Sequence, residues 1–239
     1  MDTPNAEIYQ VTLLEGSSSI SRVTADKDKA SICRDLGYHP SDLIQANSII
    51  WVEGPSDRIY LNYWINKINP QLIEGIHYSI MFYGGRLLSH LTAQDPDKYI
   101  GNFISLIRLN RASAILIDSD RESINKRLNK TKKRIEDEFS INGYVWITKG
   151  REIENYLPTI QLNGAIKQIH PNAVTKDNYE QYDKILALKD KNGKEIKPNK
   201  VAIARFIIKY DNPEWGRLDL RKKINGLVSF ISNSNPKLD

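Results

Sequence analysis

Two aspartates, Asp118 and Asp120, stand one residue apart where the apolar run "SAILI" ends. On an extended chain such side chains share a face, and carboxylates crowded together resist ionising. One acid would be enough to cap a helix. Further acids follow other apolar runs: Glu53 and Asp57 in "EGPSD" after "SIIWV", and Glu152 and Glu154 in "KGREIEN" after "YVWI". Taken singly, each piece has a plainer explanation. "DSD" reads as a cap, "EGPSD" as a turn with Ser56 or Asp57 starting a helix, and "KGREIEN" as a solvated loop with acids near a helix start. Taken together, at least four carboxylates from three strand ends converge on one edge, which calls for something positive between them. Oxygen-only donors with no His or Cys point to a hard cation, Mg²⁺ or Mn²⁺, which keeps waters and takes phosphate oxygens.

The elements that must position these acids are strand-like runs at 48–54, 78–85, 113–120 and 144–150, separated by helical patterns. The first helix pattern, "SDRIYLNYWINKI", has Ile59, Tyr60, Tyr63, Trp64 and Ile65 on one apolar face, so its aromatic stripe reads as core. Others begin at 97 ("DKYIGNFISLIRL") and 122 ("ESINKRLNKTKKRIEDEF"). Strands that are apolar throughout and alternate with helices predict an α/β fold with a central parallel sheet covered on both faces. Chemistry in such sheets sits beyond the carboxyl ends of the strands, where the acids fall, together with Gly84, Gly85 and Arg86 after the second strand. After residue 158 the pattern becomes helical and polar, with "TIQLNGAIKQI", "NYEQYDKILAL", "NKVAIARFIIKY" and "DLRKKINGLVSFI" as helices. Between two of them "KDKNGKEIKPNK" reads as a mobile loop or a short hairpin. The expected divisions are therefore 1–47 as a join to something larger, 48–157 as the sheet core, and 158–239 as a mainly helical subdomain.

Composition narrows the function. The chain has 239 residues, a net charge of +5 and clustered basic stretches at 125–134, 189–200 and 217–225, which suit a polyanion as well as a solvated face. Cys33 is the only cysteine, which excludes an internal disulfide and a Cys-rich zinc site, and His39, His77, His90 and His170 lack ligand spacing, which argues against soft-metal chemistry. No signal-peptide pattern or membrane-length apolar run occurs, which leads to the expectation of a cytoplasmic protein. Neither G-x-x-x-x-G-K-[ST] nor G-x-S-x-G is present, so a P-loop ATPase and a serine-hydrolase elbow are excluded.

The order Glu-Gly-x-x-Asp, Gly-Gly, Asp-x-Asp and Lys-Gly-Arg-Glu resembles the TOPRIM fold, a Rossmann-like sheet shared by type IA topoisomerases, bacterial primases and several nucleases. The wording "DLGYHPSDLIQANSIIWVEGPSDRIYLNYWI", with "FYGG", "LIDSD" and "TKGREIENYLP", is similar to the C-terminal nuclease region of OLD-family (overcoming lysogenization defect) proteins over about residues 32–158. That family joins an ABC-type ATPase to the nuclease and acts in DNA processing or antiphage defence. The resemblance implies an ATPase partner in the same or a separate chain, oligomers formed through that ATPase, and DNA as substrate. It further implies a two-metal endonuclease or nickase using two Mg²⁺ or Mn²⁺ ions. Glu53 and Asp57 would lie near one ion, Asp118 would be shared, and Asp120, Glu152 and Glu154 would lie near the other. A lysine near the scissile phosphate is also implied, with Lys149 and Lys200 as candidates beside Glu53 and Asp118, while Arg86 and Arg151 could clamp phosphate bidentately. The alternatives are a non-catalytic nucleic-acid-binding regulatory module and a TOPRIM primase or topoisomerase-type domain.

Overall fold

The computed structural model describes residues 9–14, 17–22, 47–83, 112–141, 143–210 and 212–235. It divides into two compact units, Met1–Gln45 and Ala46–Asp239. In the first, β1 (Tyr9–Leu14) pairs antiparallel with β2 (Ser17–Arg22).

The second unit opens with β3 (Ile49–Val52), α1 (Pro55–Ile68), β4 (Ser79–Phe82), β5 (Ser113–Ile117), α2 (Lys130–Phe139) and β6 (Tyr144–Ile147). A 3-10 turn at Ile153–Tyr156 leads to α3 (Thr159–Ile169) and the hairpin strands β7 (Leu188–Lys189) and β8 (Glu195–Ile196). Then come α4 (Lys200–Ile207), prolonged by a 3-10 turn at Ile208–Tyr210, and α5 (Leu220–Ser234). The four central strands lie in the order β4-β3-β5-β6, with every neighbouring pair parallel. The chain leaves β3 for one side and later returns to its other side as β5, so the sheet's direction of winding reverses between these two strands. In open α/β sheets a crevice forms at this reversal, outside the carboxyl ends.

Alternation along β3 explains why the strands carry no polar face. Ile50 and Val52 join the core that also holds Tyr60, Trp64, Leu162, Ile203 and Ile224, drawn from α1, α3, α4 and α5. Ile49 and Trp51 point the other way, toward Ile135 and Phe139 of α2. The helices after residue 158 thus share one core with the sheet. Among the described residues no helix is long and apolar enough to cross a membrane.

Three helix expectations fare differently. The helix expected from 97 lies outside the described residues. That expected from 122 begins only at Lys130, because the Asn129 side chain accepts the Lys132 N–H at 2.8 Å and caps it there. "NYEQYDKILAL" forms turns in place of a helix. Its backbone is engaged elsewhere: the carbonyls of Glu180 and Asp183 accept from the Asn155 amide, and the Ile185 N–H donates to Glu152. The segment 189–200 is a hairpin whose turn is fixed by Asp190 Oδ1 accepting from the N–H groups of Asn192 and Lys194, with Gly193 at φ +80°.

Candidate functional site

The acids gather at the crevice between β3 and β5. Glu53 follows β3 directly and Gly54 caps α1, with Pro55 in the first turn, where a missing N–H costs nothing. Asp57, at the third helical position, accepts the Gly54 N–H through Oδ2 at 2.9 Å. It therefore does cap the helix, yet it is buried, and desolvation followed by the Glu53 charge pushes its pKa up to about 6. Helix capping and membership of an acid cluster are both true of this residue.

Asp118 follows β5. Its Oδ1 accepts the Ile153 N–H at 2.9 Å and its carbonyl accepts from Lys132 Nζ at 2.7 Å. Burial, then Asp57, Glu154, Glu53 and Glu152, push its carboxyl well above the usual carboxylate range. Two loops are bolted together beneath it. The Ser119 N–H donates to Thr148 Oγ1 at 2.8 Å, and Ser119 Oγ donates to the Gly150 carbonyl at 2.5 Å. Gly150 also admits neighbours from its other side, since a Cβ there would lie 2.6 Å from Asn155 Cβ and 2.9 Å from the Gln181 carbonyl.

From the β6 side come Glu152 and Glu154. Glu152 Oε1 accepts the Ile185 N–H at 3.0 Å, and Oε2 lies 4.0 Å from Lys200 Nζ. Glu154 is wholly buried, and neither of its carboxylate oxygens has a hydrogen-bond partner; Lys200 Nζ stands 3.8 Å from Oε1. Burial pushes Glu154 up to about 8 against the pull of Lys200, with Glu152 and Asp57 adding to the rise. Burial would lower Lys200, but Glu154, Glu152, Asp118 and Asp57 hold its pKa above the usual lysine value.

The remaining expected residues lie apart. The Asp120 carboxylate pairs with Lys132 and is 68% exposed, its backbone is left-handed at φ +55°, and its N–H donates to the Arg151 carbonyl. Arg151 Nη1 is 3.6 Å from Glu122. Lys149 is exposed and meets the site only through its backbone, donating to Tyr156 Oη and accepting from Gln181. Of the two candidate lysines, only Lys200 stands beside the acids. Arg86, with Gly84 and Gly85, lies outside the described residues.

Two positions beside the acid cluster escaped the sequence reading. Lys132 holds both ends of the "DSD" turn from α2, and its signal was a lysine in register with Ile135 and Phe139 on the buried face of that helix. Tyr60 belongs to the expected core stripe, but its hydroxyl is buried without a partner and its pKa is raised by burial and by Glu154, Asp57 and Glu152.

Among the described residues, no three His, Cys, Asp or Glu side chains already stand as a metal cage. The donor set nevertheless fits a hard cation. Glu53, Asp57, Asp118, Glu152 and Glu154 all present oxygen, one lysine offsets them, and Glu154 keeps two desolvated oxygens bare. The chain matches no protein-family model and no curated protein.

Proposed function

We propose that this chain is a metal-dependent nuclease that hydrolyses DNA phosphodiesters at the acid cluster, as the TOPRIM nuclease region of an OLD-family protein does. The observation that carries the reading is Glu154: a fully buried carboxylate with no hydrogen-bond donor, set among four other acids, at the sheet position where α/β folds bind ligands. Glu53, Asp57, Asp118, Glu152 and Glu154 would hold Mg²⁺ or Mn²⁺. Such a cation, when bound, supplies positive charge to the phosphate and makes water a better nucleophile.

The chain's own groups supply the orientation. Backbone N–H groups of Gly54, Ile153 and Ile185 fix Asp57, Asp118 and Glu152 respectively. Lys200, on the first turn of α4, presents a half-exposed ammonium beside the buried acids, where it can donate to a phosphate oxygen or to the departing oxygen. An ATPase in the same or another polypeptide would regulate or deliver substrate to this site.

The test is nicking of supercoiled plasmid with Mg²⁺ or Mn²⁺. Asp118→Asn, which keeps an acceptor for the Ile153 N–H, should abolish nicking while leaving the melting temperature near wild type. Undiminished nicking by this variant overturns the assignment, as does DNA binding without cleavage across several divalent metals with an ATPase partner supplied.

A further inference from the structure

A groove of about 550 Å³ opens beside the acid cluster. Glu152 and Lys200, which belong to the acid cluster and its counter-charge, line it together with β7–β8 hairpin residues and with Lys184, Lys189 and Lys197, and Glu195 is the opposing charge. Lys184, Lys189 and Lys197 are exposed, and none pairs with a carboxylate among the described residues. The Asp190-centred turn fixes the hairpin that carries Lys189 and leads into Lys197, while Lys184 lies in the turn before β7.

We propose that this groove is a track for one nucleic-acid strand, gripped by its phosphates as it passes to or from the acid cluster; the proposal rests on the nuclease reading and adds its substrate path. Four lysines against two glutamates favour a polyanion, and long, strongly hydrated lysine side chains suit phosphates as point charges. The groove's volume is that of a small-ligand cleft, a size that suits one strand's backbone better than the width of a duplex. Its floor is aliphatic, formed by Leu186, Leu188 and Ile196, with no aromatic ring on which a base could stack. Single-strand binders that read bases loosely do so by stacking. The grip here is therefore on the backbone, independent of sequence.

The experiment uses the whole chain and fluorescence anisotropy with a labelled oligo-dT and a labelled hairpin duplex, in EDTA, across a range of NaCl. The triple variant Lys184→Gln/Lys189→Gln/Lys197→Gln should bind oligo-dT at least about tenfold more weakly at low salt. Its slope of log K against log[NaCl] should be shallower by ~2, from three phosphate contacts at ~0.7 each. Duplex binding should change less. As a charge control, Lys191→Gln/Lys194→Gln alters exposed lysines of the same hairpin outside the groove lining and should bind like wild type. Wild type that fails to bind oligo-dT, an unchanged triple variant, or an equal loss in the control each overturns the track. Plasmid nicking separates the two readings. If wild type never nicks but the triple variant loses oligo-dT, the nuclease reading falls and the track stands. If wild type nicks and the triple variant binds normally, the track falls and the nuclease reading stands.

Discussion

Lys200 Nζ stands 3.8 Å from Glu154 Oε1 and 4.0 Å from Glu152 Oε2, close enough for charge attraction and too far for a hydrogen bond. The lysine thus neutralises the acid cluster from outside without occupying it. Its side chain remains 45% exposed while Glu154 is wholly buried, so one partner faces the groove and the other the core.

Removing that cation should expose the cost of the buried acids. In Lys200→Met, Glu154 loses the strongest influence that lowers its pKa and titrates higher still. At pH 5 Glu154 is already protonated in the wild type, so the variant should melt near wild type. At pH 8 it should lose about 1–3 kcal/mol, a figure at the low end for breaking a buried pair because Lys200 is half in water. Thermal melts at both pH values check this, and equal losses at the two would contradict it.

Stability of the metal-free protein should fall as pH rises. Asp57, Asp118 and Glu154 all have folded-state pKa values above their unfolded ones, so between roughly pH 4 and 8 the folded state holds more protons than the unfolded state. The slope of unfolding free energy with pH is then negative: the contribution is complete below the unfolded values and lost as pH passes about 6 for Asp57 and about 8 for Glu154. In EDTA the melting temperature should drop from pH 5 to pH 8, by about 2–4 °C for each kcal/mol lost. Mn²⁺ or Mg²⁺ should restore more at pH 8, where the carboxylates are free to bind, and Glu154→Gln should flatten the profile.

Lys132 should act on the site through Asp118. Its buried ammonium donates to the Asp118 carbonyl, so Lys132→Met keeps the side chain's length but leaves that carbonyl unpaired, at about 1–3 kcal/mol. Nicking should slow through kcat, with little change in KM, because the carboxylate is misplaced while the groove lysines are untouched. A stable, fully active Lys132→Met would show that the Asp118 turn holds itself.

The sheet and the convergence of acids were legible because both follow from local pattern: unbroken apolar runs need cover on both faces, and Glu53, Asp118 and Glu152 fall just past them. The four strands lie inside the expected runs, and α3 matches "TIQLNGAIKQI". What stayed hidden depends on tertiary partners. Nothing local tells that Asn155 would take the Glu180 and Asp183 carbonyls and unwind an expected helix, or that Lys132 would draw Asp120 away from Asp118. Both acids of "DSD" were expected to reach a cation, Asp118 shared and Asp120 beside the second ion; the turn after Ile117 keeps Asp118 among the other acids and leaves Asp120 paired with Lys132.

That difference gives the sharpest contrast between neighbouring positions. Asp120 holds a left-handed backbone at φ +55°, a region glycine enters freely, and its carboxylate pairs with Lys132 while 68% exposed. Asp120→Gly trades a partly solvated ion pair for a relaxed backbone, two effects of similar size and opposite sign, so stability should stay within about 1 kcal/mol of wild type. Asp118 in turn accepts the Ile153 N–H and lies among four other acids. Asp118→Ala leaves that N–H unpaired and removes the central carboxylate, so it should lose nicking entirely. Measured side by side in Mn²⁺, Asp120→Gly should retain measurable nicking. If both variants are equally dead, Asp120 must leave Lys132 and turn inward when a cation binds, and the two aspartates would share one role after all.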